Sequence, residues 1–93
     1  MSTYSDRPDR VAYLRQMAQV GAVVAYGHPA GEVRGEITKV SEQSVWVKLY
    51  VADGYPQRTV RFTIRKYGAY QQAGQGKYAP RLRFEADPNN PQP

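Results

Sequence analysis

VWVKLYV (45–51), ADGYPQ (52–57) and RTVRFTIRK (58–66) read as two arms and the turn of a β-hairpin. Apolar residues alternate strictly on both sides of a segment that holds Asp-Gly and Pro. Val45, Val47, Leu49 and Val51 fall on one face of the first arm, and Val60, Phe62 and Ile64 on one face of the second, so these faces are expected to form the core. The opposite faces carry Trp46, Lys48 and Tyr50 on the first arm and Arg61, Thr63 and Arg65 on the second. Side chains alternate across a strand, so the outward surface of the hairpin is expected to interleave rings with cations.

The rest of the chain is read outward from that hairpin. Ninety-three residues suit one domain with one modest core. Without cysteine, the chain has neither disulfides nor thiolate metal sites, and its stability must come from apolar strands. Ser2 to Arg10 is polar, and no apolar run approaches the ~18 residues of a membrane span. The expectation is a cytoplasmic chain with neither signal peptide nor membrane anchor.

Before the hairpin, Asp6 is placed to cap a helix, with Pro8 in its first turn and Asp9 reaching back towards the cap. Val11, Leu14 and Ala18 form one apolar stripe with Met17 beside it, which predicts a short amphipathic helix over about 8–20, ended by Gly21. Helical spacing of this kind makes Tyr13 and Met17 packing residues. Ala22 to Tyr26 reads as a strand, 27–31 as a turn, and Glu32 to Val40 as a second strand with Val33 and Ile37 inward and Arg34, Glu36 and Thr38 outward. Gly35 is expected to mark a bend or bulge in it.

After the hairpin, YGAYQQAGQGKYAP (67–80) reads as one long loop rich in Gly, Gln and Tyr. Loops of this length in compact domains are commonly functional. Arg81 to Glu85 then alternates again, with Leu82 and Phe84 inward and Arg81 and Arg83 outward. Ala86 to Pro93 holds three prolines and two asparagines and is expected to be disordered, which confines the domain to 1–85. One helix and about five antiparallel strands predict a mainly β (α+β) fold, a small, partly open SH3-like barrel with the helix over one end. The OB-fold is its nearest rival.

Catalytic and cofactor motifs are not found. The single histidine, His28, lies beside Pro29 in a turn with no carboxylate near it in sequence. The acidic residues are scattered singly except for Asp6 and Asp9, which capping explains. Gly68 to Lys77 fails as a phosphate-binding loop, because Lys77 is followed by Tyr78 and a strand instead of Ser or Thr at a helix start. The reading is therefore of a protein that is not an enzyme and needs neither cofactor nor metal.

The net charge of +5 is unevenly spread. Between Asp53 and Glu85 there is no acid, while Arg58, Arg61, Arg65, Lys66, Lys77, Arg81 and Arg83 all lie in that interval. Such a segment attracts polyanions, so nucleic acid, DNA or RNA, is the first partner expected, and an acidic protein or nucleoprotein surface the alternative. The candidate surface comprises Trp46, Lys48, Tyr50, Arg61, Arg65 and Lys66, with Tyr67, Tyr70, Lys77 and Tyr78 from the long loop and Arg81 and Arg83 from the last strand. Cations would meet phosphates and rings would stack on bases. Four phosphates neutralised on a duplex predict a salt slope of about −3.6. Two placements are open to Trp46: an exposed stacking platform, or a second small core under the helix.

GEVRGEITKVSEQSVWVKL (31–49), RTVRFTIRKYG (58–68) and the closing YAPRL (78–82) resemble small SH3-like β-barrel proteins of bacteriophages and other mobile elements, over about Val20 to Phe84. The resemblance implies a mobile-element origin and either of two roles, an accessory nucleic-acid binder or an anti-CRISPR-like inhibitor docked on a host protein or nucleoprotein. It carries over no site residues.

Overall fold

A computed structural model describes residues 6–52, 54–76 and 78–88. Helix α1 (Pro8–Met17) is followed by strands β1 (Val23–His28), β2 (Gly31–Val40), β3 (Ser44–Leu49), β4 (Thr59–Arg65), β5 (Ala69–Gln72) and β6 (Arg83–Phe84). They form one antiparallel sheet in the order β5-β4-β3-β2-β1-β6. Five strands thus run as a meander, and β6 returns to pair with β1. Just before β6 the chain also meets β5, where Gln71 bridges Arg81 and the Leu82 N–H donates to the Tyr70 carbonyl at 2.8 Å. The two ends of the sheet are therefore drawn together, but by only a few residues, and the result is a curled, partly open half-barrel. A meander lacks the Greek-key connection of the rival OB-fold.

The decisive hairpin is present as β3 and β4, with Val45 opposite Phe62 and Val47 opposite Val60. Val45, Val47, Leu49, Phe62 and Ile64 are buried, and Val51 and Val60 are partly buried against them. Ile37, Val24, Tyr26, Tyr70, Leu82 and Phe84 complete the interior, and Leu14 and Ala18 bring α1 onto it. The rings of Tyr26 and Phe62 meet edge to face at 5.0 Å.

Four local expectations are corrected. Arg7, not Asp6, is the residue before the helix, and among the described residues no side chain caps it. The Arg7 N–H is tied to the Lys66 carbonyl at 2.8 Å, which leaves Asp6 outside the cap position. Asp9 instead accepts from the Arg7 guanidinium at 3.1 and 3.2 Å, and this bond holds its carboxyl below the usual range. The helix ends at Met17, and Gly21 lies in the following turn. The irregularity of β2 falls between Ile37 and Lys39, not at Gly35. Within 67–80, Ala69–Gln72 is a buried strand, reached through a tight turn at Gly68, whose φ of +87° suits glycine. A Cβ at Gly68 would also lie 2.3 Å from Arg10 Cγ, so this turn is where α1 closes on the sheet.

The tail from Ala86 is described as far as 88, and the expectation of disorder does not hold at Asp87. Its buried carboxylate accepts from the Tyr13 hydroxyl at 2.9 Å and from Arg10 at 3.3 Å, clasping the end of the barrel to α1. Residues 89–93 lie outside the described residues.

Burial pushes the phenols of Tyr26 and Tyr70 above their ordinary range, opposed by the nearby positive charges of Arg58 and Arg15 respectively. In the unfolded chain a phenol ionises near pH ~10, where the folded protein still holds its proton. The native state then binds more protons than the unfolded one, so stability falls as pH rises. This contribution is whole below about pH 10 and is lost on the way to the raised native values. Denaturation midpoints are expected to drop as pH rises above about 10, and the double variant Tyr26→Phe, Tyr70→Phe is expected to flatten that drop. A wild-type midpoint constant over this range would contradict the assignment.

Candidate binding surface

Because β3 turns Val45, Val47 and Leu49 inward, Trp46 and Lys48 project from the outer side of the sheet. Trp46 is half-buried and stands outside the core that Leu14 and Ala18 of α1 join. Its cross-strand neighbours are Lys39 on β2 and Arg61 on β4, both exposed. The Lys39 ammonium lies 4.5 Å from the centre of the indole, within cation–π range. Lys48 is exposed between Glu36 on β2 and Thr59 on β4. Tyr50, just past β3, is 50% exposed, and its N–H donates to the Arg34 carbonyl at 2.9 Å. The outer side of β2, β3 and β4 thus joins Lys39, Trp46, Arg61, Lys48 and Tyr50.

Lys39 is the residue that sequence reading missed. Strict alternation from Val33 through Ile37 would turn it inward, but the register shift between Ile37 and Lys39 flips it to the outer side, opposite Trp46. The available signal was negative: uninterrupted alternation would have buried a lysine, which is rare without a partner.

The remaining sequence-predicted residues divide by what they touch. Arg65 is half-buried and donates from Nη2 to the Gln75 carbonyl at 2.9 Å, so it clasps the loop after β5. Tyr67 donates to the side-chain oxygen of Gln71, whose amide donates to the Ala79 carbonyl at 2.8 Å, and the Arg81 guanidinium lies 5.4 Å from the centre of the Tyr67 ring. Tyr70, 1% exposed, is a core residue and not a contact residue. Tyr78 is 84% exposed. Lys66 borders a groove between α1 and the end of β4, together with Arg15, Val11 and Ile64. Arg83 is on β6, ion-paired with Glu32 of β2. Lys77 lies outside the described residues.

Ion pairing sorts the cations further. Arg7 pairs with Asp9, Arg10 with Asp87, Arg34 with Glu85 and Arg83 with Glu32. Among the described residues, no ion pair engages Lys39, Lys48 or Arg61. The acids therefore neutralise the helix start and the β1/β2/β6 side; Lys39, Lys48 and Arg61 are grouped around Trp46, while Arg15, Arg58, Arg65, Lys66 and Arg81 also stand outside these four pairs. Among the described residues, Glu36 is the acid directly opposite the Trp46 group, across from Lys48.

His28 is exposed, and its Nδ1 accepts from the Ala30 N–H at 3.1 Å, an arrangement that shapes the β1–β2 turn. Among the described residues, no three His, Asp or Glu side chains gather as metal ligands, and no helix is long and apolar enough to cross a membrane. Comparison with protein-family models, with curated proteins and with solved structures finds no match.

Proposed function

We propose that this chain is a non-enzymatic nucleic-acid-binding module of the cytoplasm, and that it binds through the outer side of β2, β3 and β4. The observation that carries the reading is the row Lys39, Trp46, Arg61. In it an aromatic ring is flanked on the neighbouring strands by two exposed cations that no ion pair among the described residues engages. Cations beside a ring are the elements of sequence-tolerant binding: the charges take phosphates and the ring takes a base. With Lys48, which faces Glu36 across the strands but forms no ion pair among the described residues, they make three charges, fewer than the four allowed for from sequence.

Three phosphate contacts give an expected slope of log affinity against log salt of about −2 on a single strand and about −3 on a duplex. Raising salt from about 50 to 200 mM should then weaken binding by roughly 20- to 40-fold. Replacing Lys48 or Arg61 with alanine should each shallow the slope by about one unit, whereas Arg83→Ala, already paired with Glu32, should leave it unchanged. Binding indifferent to salt and to both substitutions would refute this surface.

A second reading is favoured by Tyr55 and Tyr78, 69% and 84% exposed, because large exposed tyrosines are common anchors of protein interfaces. In it the chain is an inhibitor of the phage or mobile-element kind that docks on a host protein or nucleoprotein. Salt-sensitive binding to naked nucleic acid separates the two, since only the first requires it.

A further inference from the structure

Resting on the nucleic-acid reading above, we infer that the ligand of this surface is a single strand, DNA or RNA, with a base stacked on Trp46. The faces of bases in a duplex are already stacked on one another, so an indole on a sheet surface meets a base face only where the strand is unpaired. Trp46 is half-buried on the middle strand of the β2–β3–β4 group, which fixes the ring while leaving part of it open. Lys39 covers it by a cation–π contact from an exposed position, a contact weak enough to be exchanged for a base. The displaced ammonium is then free to meet a phosphate of the same strand.

The placing of the other groups favours the same ligand. Adjacent strands lie about 4.8 Å apart, so Lys39 and Arg61 flank the ring at the spacing of one strand on either side. Along β3, Lys48 and then Tyr50 follow Trp46 on the outer side, and Tyr50 offers a second ring roughly 13 Å away at ~3.3 Å per residue. Ring, cation and ring in a line suit a flexible chain that lies across a curved sheet. A stiff duplex would touch the outside of a half-barrel over a narrow line. Reading a duplex from its major groove calls for a protruding helix or ribbon. Helix α1 is committed to the core through Leu14 and Ala18, and the β1–β2 tip presents Pro29 and Ala30 beside a Glu32 already held by Arg83.

The test titrates the full chain with oligo(dT) of about twelve nucleotides, with oligo(U) of the same length and with the dT·dA duplex, a length within the usual site sizes. Trp46 is the sole tryptophan, so its fluorescence reports the contact directly, and labelled oligonucleotides give affinity independently. The expected result is quenching by both single strands, bound at least tenfold more tightly than the duplex. Trp46→Ala should weaken single-strand binding by about fivefold to a hundredfold. Trp46→Phe, which keeps a ring in the sheet, should retain the circular-dichroism spectrum and lose less. Equal binding of single strand and duplex without quenching would overturn this inference and leave the nucleic-acid reading intact. Failure of all three polymers to bind would overturn both, and tight single-strand binding unchanged in both Trp46 variants would overturn the stacking.

Discussion

Phe62→Ala is expected to cost about 3–5 kcal/mol of folding free energy. Phe62 is 0% exposed, lies opposite Val45 on β3, and meets the Tyr26 ring of β1 edge to face at 5.0 Å. β1 and β4 are separated in the sheet by β2 and β3, so this contact reaches across the inside of the curl and does not follow from strand pairing. Removing the ring takes away its own burial and leaves a cavity lined by groups that backbone hydrogen bonds hold in place, so collapse can recover little. A domain of this size has roughly 5–15 kcal/mol in total. With about 4–8 °C of midpoint per kcal/mol at this length, the variant should melt well over ten degrees lower or fail to fold at ambient temperature. Chemical denaturation should show a lower midpoint at unchanged slope. A loss under about 1 kcal/mol would mean that Phe62 is not where the curl closes.

How much of this was legible in the sequence depended on how local its cause was. The inward faces of β3 and β4 follow from alternation alone, so Val45, Val47, Leu49, Phe62 and Ile64 were readable as core, and Trp46 and Arg61 as outward neighbours. β5 was not readable, because Gln71 in AYQQ looks like a loop residue. Its buried amide is met by the Tyr67 hydroxyl and the Ala79 carbonyl, supplied by the turns on either side. Lys39 escaped because one extra residue in β2 reverses the phase of everything after it.

Folding redistributes part of the cationic run from Arg58 to Arg83. It has no acid along the chain, yet folding sets Glu32 beside Arg83, and the Gln75 carbonyl beside Arg65. Charge segregation along the chain thus does not by itself say which cations share a face; the sheet groups Lys39, Lys48 and Arg61, which no ion pair among the described residues engages, on β2, β3 and β4.

Gly35→Ala is expected to be nearly as harmful as the loss of a core ring, although it adds a single methyl group. A Cβ at Gly35 would lie 2.5 Å from the Lys48 carbonyl oxygen, 2.8 Å from Val47 Cγ1 and 3.1 Å from Leu49 Cα. The first and last are backbone atoms of the neighbouring strand and cannot turn aside, so β2 and β3 would have to part where they now pair Gly35 with Leu49. Overpacking of this kind costs typically 1–3 kcal/mol, and the two backbone contacts place Gly35→Ala at the upper end, ~3 kcal/mol. The entropy that alanine removes from the unfolded chain returns only about 0.4–1 kcal/mol. Gly27 is the internal control. It lies on β1 with no atom of the described residues within 4 Å of an added Cβ and no positive φ, so Gly27→Ala should be neutral or stabilising. The same strand contact sets the spacing of Lys48 and Lys39 around Trp46, so Gly35→Ala should also change the Trp46 emission spectrum under conditions where the sheet remains folded. Equal stabilities for the two alanine variants would show that β2 and β3 separate at no cost, and the binding row would then lack the rigid support on which its geometry depends.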